Sequence, residues 1–189
     1  RPAETEIIFV GLVDEEFAQA GSRAFAQSGI IGDLAIVGEP TGLDVVSSHK
    51  GSLWIQVETT GKSAHGSTPE KGENAIENMR LALNLLSDKY QKDLRSRNHS
   101  LLGSPTLSIG KIEGGNQPNI VPNYCQVELD RRTIPGETED SVIKELNSLF
   151  GGLGHAAPKV KISRTVPCPP LQTDPSLPFV QHLLTCANK

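Results

Sequence analysis

The sequence predicts an α+β protein in which a ferredoxin-like β-α-β-β-α-β domain is inserted between two pieces of an α/β domain. Residues 1–48 alternate apolar runs with a helical stretch, and residues of about 52–167 follow the β-α-β-β-α-β order. Residues 169–189 hold a proline-rich link and a short helical pattern. The inserted order builds a four-stranded antiparallel sheet with two helices on one face. We therefore expect domains at 1–50, 51–167 and 168–189, the last being a return segment to the first domain.

The first segment contains two apolar runs separated by a helix-length spacer. Neither Ile7–Val13 nor Leu34–Val37 alternates with polar residues, which predicts strands that are buried on both faces. Between them, the alanine-rich stretch Ala18–Gln27 predicts a helix, and Gly29 is suited to end it. Alternating buried strands and helices indicate an α/β segment.

Each apolar run ends in carboxylates. Glu15 and Glu16 follow the first run, and Glu39 follows the second. Because open α/β sheets hold their ligands at the carboxyl edge, we expect these glutamates to converge there as metal ligands and a general base. The alternative is that they are solvated acids in two ordinary loops, since acids are common on protein surfaces.

The inserted domain shows the two periodicities of strands and helices. Leu53, Ile55 and Val57 alternate with polar residues, as in a strand with two different faces. Further strands are predicted at 106–112, 124–133 and 159–166. An apolar stripe at three- and four-residue spacing predicts a helix over 74–92, and a second stripe predicts one that begins at Glu137 or Thr138. Glycines at 151, 152 and 154 end the second helix.

Composition excludes several classes of protein. The net charge of −4 argues against nucleic acid or an anionic membrane as the main partner. No apolar run is long enough to cross a bilayer, and no signal peptide opens the chain. Three cysteines without paired spacing argue against a disulfide scaffold, so we expect a cytoplasmic protein. The chain begins without Met and stops within a helical pattern, which suggests a fragment of a longer protein.

Four motifs in a fixed order carry a family resemblance. They are Asp14-Glu15-Glu16; Gly38-Glu39-Pro40-Thr41; Gly61-Lys62-Ser63-Ala64-His65-Gly66-Ser67 with Pro69, Gly72 and Asn74-Ala75-Ile76; and Asn119-Ile120-Val121-Pro122 followed by Asp130-Arg131-Arg132 and Pro135-Gly136. In this order they make the chain similar to the metallopeptidase family of acetylornithine deacetylase, succinyl-diaminopimelate desuccinylase, aminoacylase and glutamate carboxypeptidase. In such proteins the inserted domain is a dimerisation (lid) domain within a zinc-peptidase catalytic domain.

The resemblance implies roles for the three glutamates. Glu15 corresponds to the general base, Glu16 to a metal ligand, and Glu39 to a ligand of the second metal. Two divalent metals, zinc or cobalt, would lower the pKa of a shared water toward neutrality. A carboxylate beside that water can pass its proton to the leaving amine.

The resemblance also implies roles for three residues of the inserted domain. His65 corresponds to a histidine that reaches the partner subunit's active site and helps hold the oxyanion. Asn119 and Arg132 correspond to residues that bind the substrate carboxylate, for which a guanidinium offers a two-point contact. The implied activity is hydrolysis of the amide bond in N-acyl amino acids or short peptides.

The family supplies further metal ligands that this sequence does not contain. They are a histidine and an aspartate on an upstream strand, a bridging aspartate, and a histidine near the far C-terminus. Glu16 and Glu39 alone are a poor zinc site, because tetrahedral zinc normally uses four donors. We therefore expect this fragment to fold and associate without stably binding a metal pair or hydrolysing substrate, the longer parent being the enzyme.

Plainer interpretations remain for the same residues. His65 can be a surface histidine on a glycine-serine loop, and Asn119 can merely shape its turn. Arg131 and Arg132 are adjacent on a strand, so they face opposite sides. The family pattern selects Arg132 as the ligand-binding residue, which leaves Arg131 solvated or paired.

A four-stranded sheet has two edges, and bare edges are prone to association. In the family, the small domains pair along one edge strand and a helix, so we expect a homodimer with isologous contacts in which 74–92 is the neighbouring helix. Periodicity does not identify the edge strand. The competing interpretations are a non-catalytic homodimerisation module and a regulatory or RNA-binding domain. An aromatic content of 4% disfavours RNA binding.

Overall fold

The structure is a computed structural model that describes residues 6–16, 19–164 and 166–187. The chain forms two units, Arg1–Pro40 and Thr41–Lys189. The first contains the helix α1, Ala20–Gln27. Within the described ranges, no helix combines the length and the apolar character that crossing a membrane requires.

The second unit is built on a four-stranded antiparallel sheet. In chain order the strands of this unit are β1 Ser48–His49, β2 Gly51–Thr60, β3 Thr106–Gly114, β4 Tyr124–Thr133, β5 Lys159–Ile162 and β6 Leu171–Gln172. The order across the four-stranded sheet is β3-β4-β2-β5, and a separate two-stranded sheet pairs β1 with β6.

The helices of the second unit include two short 3₁₀ segments and one π-helical turn. They are the 3₁₀ turn Pro69–Lys71, α2 Ala75–Leu85, the π turn Leu86–Tyr90, α3 Gln91–Ser96, α4 Glu139–Phe150, the 3₁₀ segment Gly151–Ala156 and α5 Pro178–Ala187. The predicted β-α-β-β-α-β order of residues 52–167 therefore agrees with the structure.

Several of the predicted boundaries differ from the structure. The strand predicted over 106–112 runs on to Gly114. The helix predicted over 74–92 continues to Ser96, because Leu94 belongs to its buried side and is 1% exposed. The last strand ends at Ile162 rather than Val166. The bounds of β4, in contrast, are those predicted.

The core lies between the sheet and its helices. Alternate side chains of β2 and β4 point into it, because successive strand residues face opposite sides. The helices contribute side chains at three- and four-residue spacing. The buried residues include Leu53, Ile55, Val57, Met79, Leu86, Leu94, Val127, Leu129, Val142, Leu146 and Phe150.

Side-chain caps begin both long helices. Asn74 Oδ1 accepts hydrogen bonds from the backbone N–H groups of Ile76 and Glu77, at 2.9 and 3.3 Å. Thr138 and Ser141 form a reciprocal capping box at the start of α4. Such caps satisfy backbone donors that a helix leaves unpaired.

A buried ion-pair network joins the end of β4 to the helices. Arg131 is fully buried, and its Nη2 lies 2.7 Å from Glu137 Oε1. Glu137 Oε1 also accepts a hydrogen bond from Arg97 Nη1 at 2.6 Å. Tyr90 donates its hydroxyl to Glu145, and burial raises the pKa of Tyr90 to about 12, so this hydroxyl stays protonated. Arg131 is thus paired, which was one of its two predicted states.

Two strands predicted in the first unit are absent from its described residues. Ile7–Val13 and Leu34–Val37 form no strand, and their side chains are exposed, with Phe9 at 95% and Val37 at 78%. A strand buried on both faces needs neighbouring strands and covering helices. Within its described residues the unit supplies neither a ladder partner nor a covering layer beyond α1. The helix predicted over Ala18–Gln27 is present over Ala20–Gln27, Ala18 lying outside the described residues, and Gly29, with φ 78°, follows it as predicted.

Candidate functional site

The loop that carries His65 is fastened by backbone hydrogen bonds to the segment that carries Asn119. The Gly66 N–H donates to the Asn119 carbonyl at 2.7 Å, and the Val121 N–H donates to the Ala64 carbonyl at 2.9 Å. His65 and Ile120 form an isolated β-bridge between these contacts. The fold therefore brings the backbones of His65 and Asn119, two of the predicted site residues, side by side.

Close backbone approach explains two glycines of this loop. A Cβ at Gly72 would lie 2.6 Å from the Lys62 carbonyl oxygen, and one at Gly66 would lie 3.1 Å from the Asn119 carbonyl oxygen. Real Cβ atoms do not approach a carbonyl oxygen as closely as 2.6 Å. Gly72 thus lets the loop close on Lys62, and Gly66 lets it lie against Asn119.

The imidazole of His65 is exposed and held at one nitrogen. Its Nδ1 lies 2.7 Å from Ser67 Oγ and 3.2 Å from the Ser67 backbone nitrogen. Nε2 has no hydrogen-bond partner in the part of the chain that the structure describes. An imidazole with one nitrogen fixed and the other exposed can donate or accept a proton at the exposed position.

A surface cavity of about 540 Å³ lies beside this loop. This volume falls in the range of small-molecule sites. Its lining includes Gly66, Asn74, Ile76, Asn116, Ile120 and Pro122. The cavity therefore borders both segments that hold the predicted site residues.

Arg132 lies at the opposite end of the sheet. It is the penultimate residue of β4, whose first residue, Tyr124, follows the Asn119 segment. At about 3.3 Å per residue, the strand separates Tyr124 from Arg132 by roughly 26 Å. The Arg132 side chain is 48% exposed and contacts Asp130 Oδ2 through Nε at 3.1 Å and Nη2 at 3.0 Å. The structure therefore does not bring Arg132 together with His65.

The three glutamates lie in the first unit and are exposed. Among the described residues, no group of three or more His, Cys, Asp or Glu side chains is arranged to hold a metal ion. Glu15, Glu16 and Glu39 therefore do not form a metal site by themselves, because the strands expected to carry them to one sheet edge are not formed. Their donor set, all carboxylate, also does not fit a zinc pair without further ligands.

Two residues that contact predicted site residues were not themselves predicted to belong to the site. Ser67 contacts the His65 ring, and Asp130 pairs with Arg132. Each lies two positions from the residue that it contacts. The two-residue period of a strand could have indicated the contact of Asp130 with Arg132, since residues i and i+2 share a face. For Ser67, the loop conformation decides the contact, and residue spacing does not reveal it.

Comparison with sequences identifies a family and its relatives. A family model described as the peptidase dimerisation domain matches residues 47–157. Acetylornithine deacetylase from Proteus mirabilis is 38% identical over 136 residues, which cover 70% of this chain and 35% of the relative. Acetylornithine deacetylase from Edwardsiella ictaluri is 37% identical over 147 residues, covering 76% and 37%. The chain thus spans about a third of the length of these relatives.

Comparison with solved structures shows the same fold. A metallo-carboxypeptidase from Sulfolobus solfataricus superposes with a TM-score of 0.59 at 17% identity, covering 76% of this chain and 43% of that one. A tripeptidase from Staphylococcus aureus gives a TM-score of 0.54 at 19% identity, covering 76% and 36%. At these identities the likeness concerns the fold alone.

Proposed function

Because the chain belongs to the peptidase dimerisation domain family, we propose that it supplies the dimer contact and part of the active site of a metal-dependent amidohydrolase. The substrate class is N-acyl amino acids or short peptides, an inference supported by the relatives that are acetylornithine deacetylases. The proposal concerns an enzyme that contains this chain, since the chain spans about a third of those relatives.

The domain assignment follows from the same family. Residues 51–167 are the dimerisation (lid) domain, and 1–50 with 168–189 belong to the catalytic domain. The match over residues 47–157 supports the first part of this assignment. We place the protein in the cytoplasm, because three cysteines without paired spacing argue against a disulfide scaffold.

In the proposed enzyme, Glu15 is the general base, and Glu16 and Glu39 each donate a carboxylate to a site for two zinc or cobalt ions. The motif order of the sequence supports these roles. Because the described residues do not make a complete metal site, the other ligands must come from elsewhere in the enzyme that contains this chain. His65 donates to the substrate carbonyl oxygen, and Asn119 and Arg132 bind the substrate carboxylate.

One observation carries the proposal that each active site is shared between two protomers. His65 and Asn119 lie at one end of the sheet and Arg132 at the other, roughly 26 Å along β4. A small substrate cannot span this distance. If all three residues contact one substrate, then His65 and Asn119 come from one protomer and Arg132 from its partner.

The free edge of the sheet suggests how the two protomers meet. β3 is a nine-residue edge strand and is exposed along most of its length, whereas the other edge, β5, has four residues. Antiparallel pairing of two β3 strands about a two-fold axis normal to the sheet would extend it to eight strands. This arrangement places the His65 end of one protomer on the same side as the Arg132 end of the partner.

Apolar side chains accompany the β3 edge. Ile109 and Ile112 are 39% and 54% exposed, and Ile76 at the start of α2 is 40% exposed. A Cβ built at Gly114 would lie 3.2 Å from Ile76 Cγ1, so Ile76 lies over the end of β3. An exposed strand edge with neighbouring apolar groups favours association. The occupant that we propose is the β3 and α2 surface of a second copy.

Sedimentation of the chain tests this dimer. We expect a dimer for the wild type and at least about ten-fold weaker association for Ile112→Lys, because a lysine on an edge strand opposes strand pairing. Leu171→Lys is the matched control, since Leu171 is 48% exposed on the separate two-stranded sheet. A wild-type chain that stays monomeric at high concentration contradicts the proposal.

Mixing two variants tests the shared active site. In an enzyme that contains this chain, His65→Ala and Arg132→Ala are each expected to abolish hydrolysis of N-acyl amino acids. Reassembled as an equal mixture, half of the dimers are hybrids, and each hybrid has one intact site. About one quarter of the wild-type activity should then return. If the mixture remains as inactive as the separate variants, both residues act within one protomer.

A further inference from the structure

We propose that Ser67 is a positioning residue that holds His65 as its Nε2–H tautomer, with the free N–H available to an oxygen of the substrate. The inference rests on the proposed function, in which the His65 imidazole donates a hydrogen bond. It assigns the donated N–H to Nε2 and names Ser67 as the residue that selects this tautomer.

The backbone N–H of Ser67 decides the tautomer. A backbone N–H can only donate, and it lies 3.2 Å from His65 Nδ1 in hydrogen-bonding geometry. Nδ1 must therefore accept, so in the neutral ring the proton resides on Nε2. The Nδ1–H tautomer would place two donors against each other.

The Ser67 hydroxyl reinforces the same choice. Its Oγ lies 2.7 Å from Nδ1 and can donate to the same lone pair. A hydroxyl can also accept, so alone it would select neither tautomer. Combined with the backbone N–H, it adds a second donor and fixes the direction of the ring.

The loop holds Ser67 in place for this contact. The Thr68 N–H donates to the His65 carbonyl at 2.9 Å, which closes a turn over residues 65–68. Gly66, within this turn, is tied to the Asn119 carbonyl. The turn is thus anchored to the segment that carries the other predicted ligand at this end of the sheet.

The consequence is chemical. The exocyclic directions at Nδ1 and Nε2, which are separated by Cε1, diverge widely in the ring plane, so fixing Nδ1 toward the loop leaves Nε2–H directed away from it. A preoriented N–H donor stabilises the negative charge that develops on a carbonyl oxygen during amide hydrolysis. A histidine free to exchange tautomers would present a donor for only part of the time.

The test is the tautomer of His65 in the intact 189-residue chain. Two-bond ¹H–¹⁵N correlation spectra of ring-labelled histidine are recorded about two pH units above the ordinary histidine pKa of 6.5. The His65 signals are assigned by their loss in His65→Gln. We expect the Nε2–H pattern in the wild type. Ser67→Ala removes the bond that holds the ring against the Ser67 N–H, so the ring can turn away from that donor. The ratio of tautomers should then shift about five-fold toward Nδ1–H, as loss of one net hydrogen bond implies.

Two further variants complete the test. Ser67→Thr keeps the hydroxyl and should restore the wild-type ratio, and Ser63→Ala in the same loop should leave it unchanged. An Nδ1–H pattern in the wild type, or equal ratios in Ser67→Ala and Ser63→Ala, overturns the proposal. The spectra do not depend on catalysis, so they stand even if the enzyme proves not to be a hydrolase. Conversely, shared-site activity without the expected tautomer would leave the proposed function intact.

Discussion

Replacing Glu137 with alanine is expected to lower the free energy of unfolding by about 3–5 kcal/mol. The Glu137 carboxylate lies 2.7 Å from the fully buried Arg131 guanidinium and 2.6 Å from Arg97. Its second oxygen accepts the Ile134 N–H at 2.9 Å. Removing the carboxylate leaves the Arg131 charge buried without its counter-ion. Urea denaturation followed by circular dichroism measures the change.

The controls separate burial from pairing as such. Glu77→Ala removes a carboxylate from an ion pair in which both side chains are more than half exposed, and it should cost below about 1 kcal/mol. The double variant Arg131→Met with Glu137→Leu removes both charges together and should be less destabilised than Glu137→Ala. Equal losses for Glu77→Ala and Glu137→Ala would show that burial of the pair is unimportant.

Glu137→Gln is also expected to change how the free energy of unfolding depends on pH under acidic conditions. Burial alone would raise the pKa of Glu137, but hydrogen bonds from Arg131 and the Ile134 amide bring it below the ordinary 4.5. A carboxyl with a depressed folded pKa contributes stability that is present above its unfolded pKa and is lost as pH falls through the folded value. Below 4.5 the wild type should therefore lose stability more steeply than Glu137→Gln.

Replacing Phe150 with alanine is expected to cost about 3–5 kcal/mol of stability. Phe150 is 1% exposed at the end of α4, in contact with the main core, so its removal leaves a cavity. Phe9→Ala is the matched control, because Phe9 is 95% exposed and its removal should change stability by at most about 0.5 kcal/mol. Thermal unfolding of both variants measures the difference. A large loss from Phe9→Ala would instead support the buried strand that the sequence predicted there.

Much of the second unit could be predicted from the sequence because its signals are local. Leu53, Ile55 and Val57 alternate with polar residues, and all three face the core. Thr138, one of two candidates for the start of α4, is its N-cap. The family predicted from four ordered motifs is confirmed by the match over residues 47–157. These features depend on neighbours in sequence, which periodicity and spacing report directly.

The remaining features depend on contacts that form only in the folded chain, which periodicity and spacing do not report. Phe9 and Val37 lie in apolar runs typical of buried strands, but a run becomes a strand only where another strand pairs with it. The adjacent residues Arg131 and Arg132 do not reveal from sequence which of them is buried. The groups that pair with Arg131 are the Glu137 carboxylate, in a turn, and the Tyr90 hydroxyl, on a helix. The contact of Ser67 with His65 likewise follows from the turn that only the folded loop adopts.

The π turn Leu86–Tyr90 has a consequence for comparing this helix with its counterparts. A π turn holds about one residue more than an α turn over the same axial advance, and it lets Leu86, Tyr90 and Leu94 all face inward. A relative whose helix is regular throughout needs one residue fewer between Met79 and Leu94 to bury the same two side chains. An ungapped alignment across this segment would shift Arg97, which pairs with Glu137, one position out of correspondence.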